Sequence, residues 1–158
     1  MKMENLTILA ISSTSFVLVL GNSLLIPILP EMRNDLLLTE TESSLIITIF
    51  SIVGAATIPF LGYLSDNLSR KKIILASLFL YGVGGLIAGI ASMNVSTLTL
   101  EWLLVGRVLQ GIGSAGTAPI ALALTVDVFK KTEQIKVLGL LEATNSFGKV
   151  ISPLLGAI

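Results

Sequence analysis

Cysteine and histidine are both absent from this 158-residue chain, and charge is scarce, with Asp, Glu, Lys and Arg together making up 13%. Without cysteine there can be no disulfide and no thiolate metal site. Without histidine the usual zinc-ligand and general-base inventories are nearly empty, so no metal, no cofactor and no enzymatic activity are expected. A soluble domain carries about 25% charged residues, and a chain with half that share cannot build a polar shell. Net charge is lacking too. Ten basic and ten acidic residues cancel, the sequence pI is about 6.2, and nucleic-acid binding would need a basic excess on one face. Nucleic acid is therefore not an expected partner.

What the chain has instead is apolar length. Hydrophobic residues make up 53% and the mean hydropathy is +0.92. Five segments approach the ~20 residues that a helix needs to cross a bilayer: Leu6–Leu29, Ser44–Leu64, Ile73–Ser92, Leu100–Val126 and Val137–Ile158. The expected fold class is an all-α membrane protein of five transmembrane helices, forming one transmembrane domain over residues 1–158. The connections are short and polar: Glu31 to Ser43, Ser65 to Lys72, Met93 to Thr99 and Asp127 to Lys136. The first run is too long for a secretory signal and lacks a small-residue cleavage site, so it reads as a retained helix.

Basic residues near span ends set the orientation. Lys2, Arg70, Lys71, Lys72, Lys130, Lys131 and Lys136 fall on one side, and on the other only Arg33, among Glu31, Asp35, Glu40, Glu42 and Glu101. The expectation is a multi-pass protein of the plasma or inner membrane with a cytoplasmic N-terminus. Glycines are dense in the third and fourth spans, at 82, 84, 85, 89, 111, 113 and 116. In lipid, small residues let backbones approach closely and supply the packing contact.

Four stretches carry more than composition. The second connection reads Gly62-Tyr-Leu-Ser-Asp66-Asn-Leu-Ser-Arg70-Lys71-Lys72. Gly62 permits close helix contact, Asp66 can meet a neighbouring helix N-terminus, and Arg70 can pair with an acid across the face. The fourth span contains Arg107-Val-Leu-Gln110-Gly111, three residues that share one helix face. A cation there costs ~2.5–3.5 kcal/mol unless it finds a partner or water. It should face the bundle interior, or else snorkel toward the surface near Glu101. The fifth span holds Gly139, Gly148, Ser152, Pro153 and Gly156, with Glu142 and Lys149 as intramembrane charges. Those two charges lie about 10 Å apart along the axis, too far for a direct pair. Each needs another partner, a water-filled cavity or a neutral state. Desolvation favours the protonated carboxyl, which makes Glu142 the candidate proton carrier unless it lies at the cytoplasmic interface. The first span closes Gly21-Asn22-Ser-Leu-Leu-Ile-Pro27-Ile-Leu-Pro30, where Asn22 is a possible cavity-lining group.

Together these stretches resemble signatures of the major facilitator superfamily, and specifically the twelve-helix branch of its drug–proton antiporters. The Gly62–Lys72 stretch is similar to the superfamily's loop signature, with Ser69 where Gly is usual. Arg107, Gln110 and Gly111 resemble its fourth-helix motif. Gly139, Gly148, Ser152, Pro153 and Gly156 keep the spacing of its antiporter motif, with Ser152 and Ala157 in place of two glycines. The resemblance implies a conformational switch at the loop and proton coupling through Glu142, Arg107 and Lys149. It implies that the chain is the first five helices of a longer transporter, with substrate bound between two halves. The expected activity is proton-coupled efflux of drugs or other small amphiphilic compounds. Expected partners are the lipid bilayer, protons, a small-molecule substrate, and either the missing C-terminal half or a second copy. A nutrient or metabolite transporter of the same superfamily, and a non-transporting membrane module that assembles with a partner, are the alternatives.

Overall fold

The computed structural model describes residues 2–93 and 99–156, and among them every regular element is a helix. These are α1 (Lys2–Ser23), α2 (Leu25–Asp35), α3 (Glu40–Asn67), α4 (Arg70–Met93), α5 (Thr99–Ala115), α6 (Ala118–Val128) and α7 (Lys131–Gly156). Most of the Met93–Thr99 connection, and Ala157 with Ile158, lie outside the described residues.

Two of the expected spans are interrupted. The run expected over Leu6–Leu29 is α1 followed by α2, with a break at Leu24 and an extension to Asp35. Pro27 does not end it, because it falls in the first turn of α2, where a missing N–H costs least. The run expected over Leu100–Val126 breaks after Ala115 into α5 and α6, with Pro119 likewise in the opening turn of α6. At this second break the Thr117 amide turns to Ser114 O (3.1 Å), and the Thr117 hydroxyl donates to Gly113 O instead (2.7 Å). The carbonyl is thus satisfied without water, as a membrane interior demands.

By length and apolarity, Leu6–Asp35, Glu40–Asn67, Arg70–Met93 and Thr99–Val128 can each cross a membrane. The fifth helix, α7, has 26 residues, or about 39 Å at 1.5 Å per residue. It is long enough, but Glu142 and Lys149 break its apolar surface. The distribution of side chains is inverted relative to a soluble protein. Phe60, Phe79 and Leu86 are more than two-thirds exposed, while Arg107, Gln110, Thr117, Thr125 and Ser152 are buried. Apolar surface outside and polar groups inside is the arrangement that lipid selects.

The chain divides into two compact units, Leu29–Pro119 and the pair of segments Met1–Ile28 with Ile120–Ile158. In the first unit α5 is the central element, packed on α4 along one side and α3 along the other. Glycines explain how closely. A methyl at Gly113 would sit 2.5 Å from Ser77 O and 2.7 Å from Tyr81 N of α4. One at Gly106 would sit 2.7 Å from Gly84 O, and one at Gly111, 2.8 Å from Phe50 O of α3. The start of α3 is fixed by a capping box: Thr39 N–H donates to Glu42 Oε2 (2.8 Å), and Glu42 N–H to Thr39 Oγ1 (3.3 Å). Each satisfies a backbone donor that the helix leaves over.

In the second unit α1 packs on α7. Phe16 and Phe147 stack at 6.4 Å, and a methyl at Gly148 would meet Val19 and Phe16 at 3.2–3.3 Å. The Gln134 amide closes the turn between α6 and α7 by donating to Val126 O (2.8 Å) and Phe129 O (2.9 Å).

Candidate functional site

The fourth-helix residues come together around a buried cation. Arg107 is 3% exposed. Its Nε donates to Ile46 O of α3 (3.1 Å) and Nη1 to Gln110 Oε1 one turn along its own helix (2.8 Å). The guanidinium carbon lies 4.5 Å from the centre of the Phe50 ring, within the range of a cation–π contact. Of the two placements open from sequence, the structure shows the interior one. Gln110 is buried at 8% exposure, and Gly111 lets α3 approach the same face. Two partners were illegible in the sequence. Ile46 contributes only a backbone carbonyl, and Phe50 is one of many apolar residues on α3. The one signal was spacing, since Ile46 and Phe50 stand four residues apart on one helix face.

The loop stretch pairs internally. Asp66 Oδ1 meets Arg70 Nη2 at 3.0 Å across the turn from α3 to α4. This is an i,i+4 contact within the stretch itself. Both partners retain solvent exposure, which limits such a pair to about 0–1 kcal/mol. Lys71 and Lys72 are exposed. Gly62 does not make the close helix contact expected of it: a methyl there meets no described atom within 4 Å. Its place on α3 turns it away from α5, the helix that α3 packs against most.

The antiporter-motif positions divide. Gly148 packs against Phe16 and Val19, and Ser152, fully buried, donates to Leu20 O of α1 (3.1 Å). That carbonyl already accepts from Leu24 N–H (3.0 Å), so Ser152 fastens α7 at the point where α1 breaks. A serine here does what a glycine could not, and its presence is more than a tolerated small residue. Gly139 is different: a methyl there meets nothing within 4 Å, and the packing role expected of it is absent among the described residues. Pro153 lies within α7 and Gly156 is its last residue.

Glu142 and Lys149 are both exposed on α7 and form no ion pair with each other or with any described residue. Asn145 lies between them on the same face, and its Oδ1 is buried without a hydrogen-bond partner, as is Ser12 Oγ on α1. Asn22 is half-buried on the last turn of α1. A cavity of about 400 Å³ is lined by its neighbour Ser23 with Ile26, Pro27, Lys149 and Pro153.

Comparison with known proteins matches residues 11–158 to the family model described as Major Facilitator Superfamily. The chain is 48% identical over 153 residues to the bacillibactin exporter of Bacillus subtilis, covering 96% of the chain and 38% of that protein. It is 30% identical over 156 residues to multidrug resistance protein 1 of the same organism, covering 99% of the chain and 39% of the relative. A triacylglyceride transporter of Mycolicibacterium smegmatis is 32% identical over 111 residues, 70% of the chain and 19% of that protein. The chain thus spans about two fifths of the length of the first two relatives.

Proposed function

The chain belongs to the Major Facilitator Superfamily, and from that premise we propose that it supplies the leading helices of an exporter that moves a small amphiphilic compound across the plasma membrane in exchange for protons. In this reading the N-terminus is cytoplasmic, the C-terminal partner is the rest of the transporter, and the Asp66–Arg70 turn is part of the switch between access states. Export is favoured by the names of its relatives, an exporter and a multidrug resistance protein. The observation that carries the reading is the set of ionisable groups inside apolar helices. Arg107 is enclosed with two hydrogen-bond partners and a ring, and Glu142 and Lys149 line one face of α7. Such groups are costly in a membrane and are retained where ions or substrates pass.

Glu142 is the proton carrier of this scheme. A carboxyl on the face of a span, with no ion-pair partner, can take up a proton from one side and release it to the other as its surroundings change. Arg107 holds α5 against α3 while this happens.

The test uses everted membrane vesicles carrying the full-length protein and a panel of fluorescent amphiphiles. Wild-type vesicles should accumulate at least one dye under a proton gradient and lose it on addition of a protonophore. Glu142→Gln should abolish gradient-driven accumulation while substrate exchange at equal pH continues. Gradient-driven accumulation by that variant would remove Glu142 from the mechanism.

A further inference from the structure

The cavity beside the α1–α2 break is lined by Lys149, an ionisable group to which the scheme above assigns no proton-carrying step. Its lining is Ser23, Ile26, Pro27, Lys149 and Pro153, and its volume of about 400 Å³ lies in the range of small-molecule sites, ~300–1,000 Å³. Lys149 forms no ion pair with a described residue. The neighbouring run from Asn5 to Pro30 contains no carboxylate at all. On its own helix the nearest acid is Glu142, about 10 Å away along the axis. An ammonium in a span without a counter-charge is costly, so its retention calls for an anion from elsewhere.

Two further features shape the cavity. Pro27 and Pro153 each lack the N–H that a helix would direct to the carbonyl four residues back. Those carbonyls belong to Ser23 and Lys149, both of which line this cavity. One cavity is therefore lined by a lysine and a serine beside Ile26 and two prolines. It is also rigidly placed. Gly148, beside Lys149, packs on Phe16 and Val19, and Ser152 is bonded to Leu20 O.

We propose that this cavity is an anion subsite, in which the Lys149 ammonium binds the negatively charged group of an amphiphilic substrate while Ile26, Pro27 and Pro153 hold its apolar part. A cationic amphiphile would place like charges together, which is unfavourable. The inference rests on the export reading for its biological meaning, and it narrows the transported class to organic anions.

Fluorescein and rhodamine 123 test it, because they share a xanthene body and differ in the sign of their charge. Binding is followed by fluorescence anisotropy on the full-length protein in phosphatidylcholine nanodiscs. Wild type should bind fluorescein more tightly than rhodamine 123. Lys149→Gln should weaken fluorescein binding about tenfold or more, the effect of losing a charge-assisted hydrogen bond, and leave rhodamine 123 unchanged. Lys149→Arg should restore fluorescein to within about threefold of wild type, which also shows that the variants fold. Absence of fluorescein binding, or equal binding by Lys149→Gln, overturns the proposal. A lipid phosphate offers the same chemistry, so loss of fluorescein binding in nanodiscs containing phosphatidylglycerol assigns the lysine to lipid and also overturns it. The two readings separate cleanly. Charge-dependent binding without gradient-driven transport defeats the export reading alone, and gradient-driven transport with Lys149-independent binding defeats the anion subsite alone.

Discussion

Alanine at Gly113 should cost this protein more than alanine at Gly82, although both glycines lie in apolar helices of the same unit. A methyl at Gly113 would be 2.5 Å from Ser77 O and 2.7 Å from Tyr81 N. An ordinary C···O contact is no closer than about 3.3 Å, so α4 and α5 would have to part by roughly 0.8 Å. Both offending atoms are backbone and cannot rotate away. Overpacking of this kind costs about 1–3 kcal/mol, and the better helix propensity of alanine returns at most about 1 kcal/mol. Gly84→Ala should behave the same way, since its methyl would lie 2.6 Å from Gly106 O. At Gly82 and Gly89 a methyl meets nothing within 4 Å, so those variants should be neutral or more stable by up to about 1 kcal/mol. Thermal unfolding of the detergent-solubilised full-length protein, followed by fluorescence-detected gel filtration, would rank the four variants. Equal stability of Gly113→Ala and Gly82→Ala would refute the argument that backbone contact holds α4 and α5 together.

Two further substitutions probe the other contacts. Gln110→Leu leaves the Arg107 guanidinium without one of its acceptors and should lower stability by about 1.5–3 kcal/mol, measured by the same unfolding assay; an unchanged midpoint would mean that Ile46 O and Phe50 suffice. Ser152→Ala should lose about 0.5–1.5 kcal/mol. It should also loosen α7 from α1, visible as faster amide hydrogen exchange around Leu20–Leu24, and unchanged exchange there would show that the hydroxyl fastens nothing.

Much of the bundle could be read from residues alone, because membrane crossing depends on long apolar runs and these survive without knowledge of packing. The interior position of Arg107 was legible for the same reason, since a cation in such a run has few places to go. The breaks at Leu24 and Gly116–Thr117 were not. Hydropathy is continuous through both, and each break is decided by where a proline falls in the next helix and by which carbonyl a threonine or amide reaches. The capping box at Thr39 was legible in principle from Thr-x-x-Glu but is easily passed over in a connection read only for its charge. Glycine density overstated contact: Gly84 and Gly113 face another backbone, while Gly62, Gly82, Gly89 and Gly139 do not. A count of small residues carries no information about which side of a helix meets a neighbour. The pairing of Ser152 with Leu20 O was hidden because its acceptor is main chain.

The glycine seams on α5 also bear on movement. At Gly106, Gly111 and Gly113 main chain rests on main chain, with no α5 side chain between it and α3 or α4 at those points. Sliding it by one residue would bring Cβ atoms into positions that admit only hydrogen, so small displacements are resisted as strongly as large ones. Within this unit α3, α4 and α5 therefore keep a fixed register against one another.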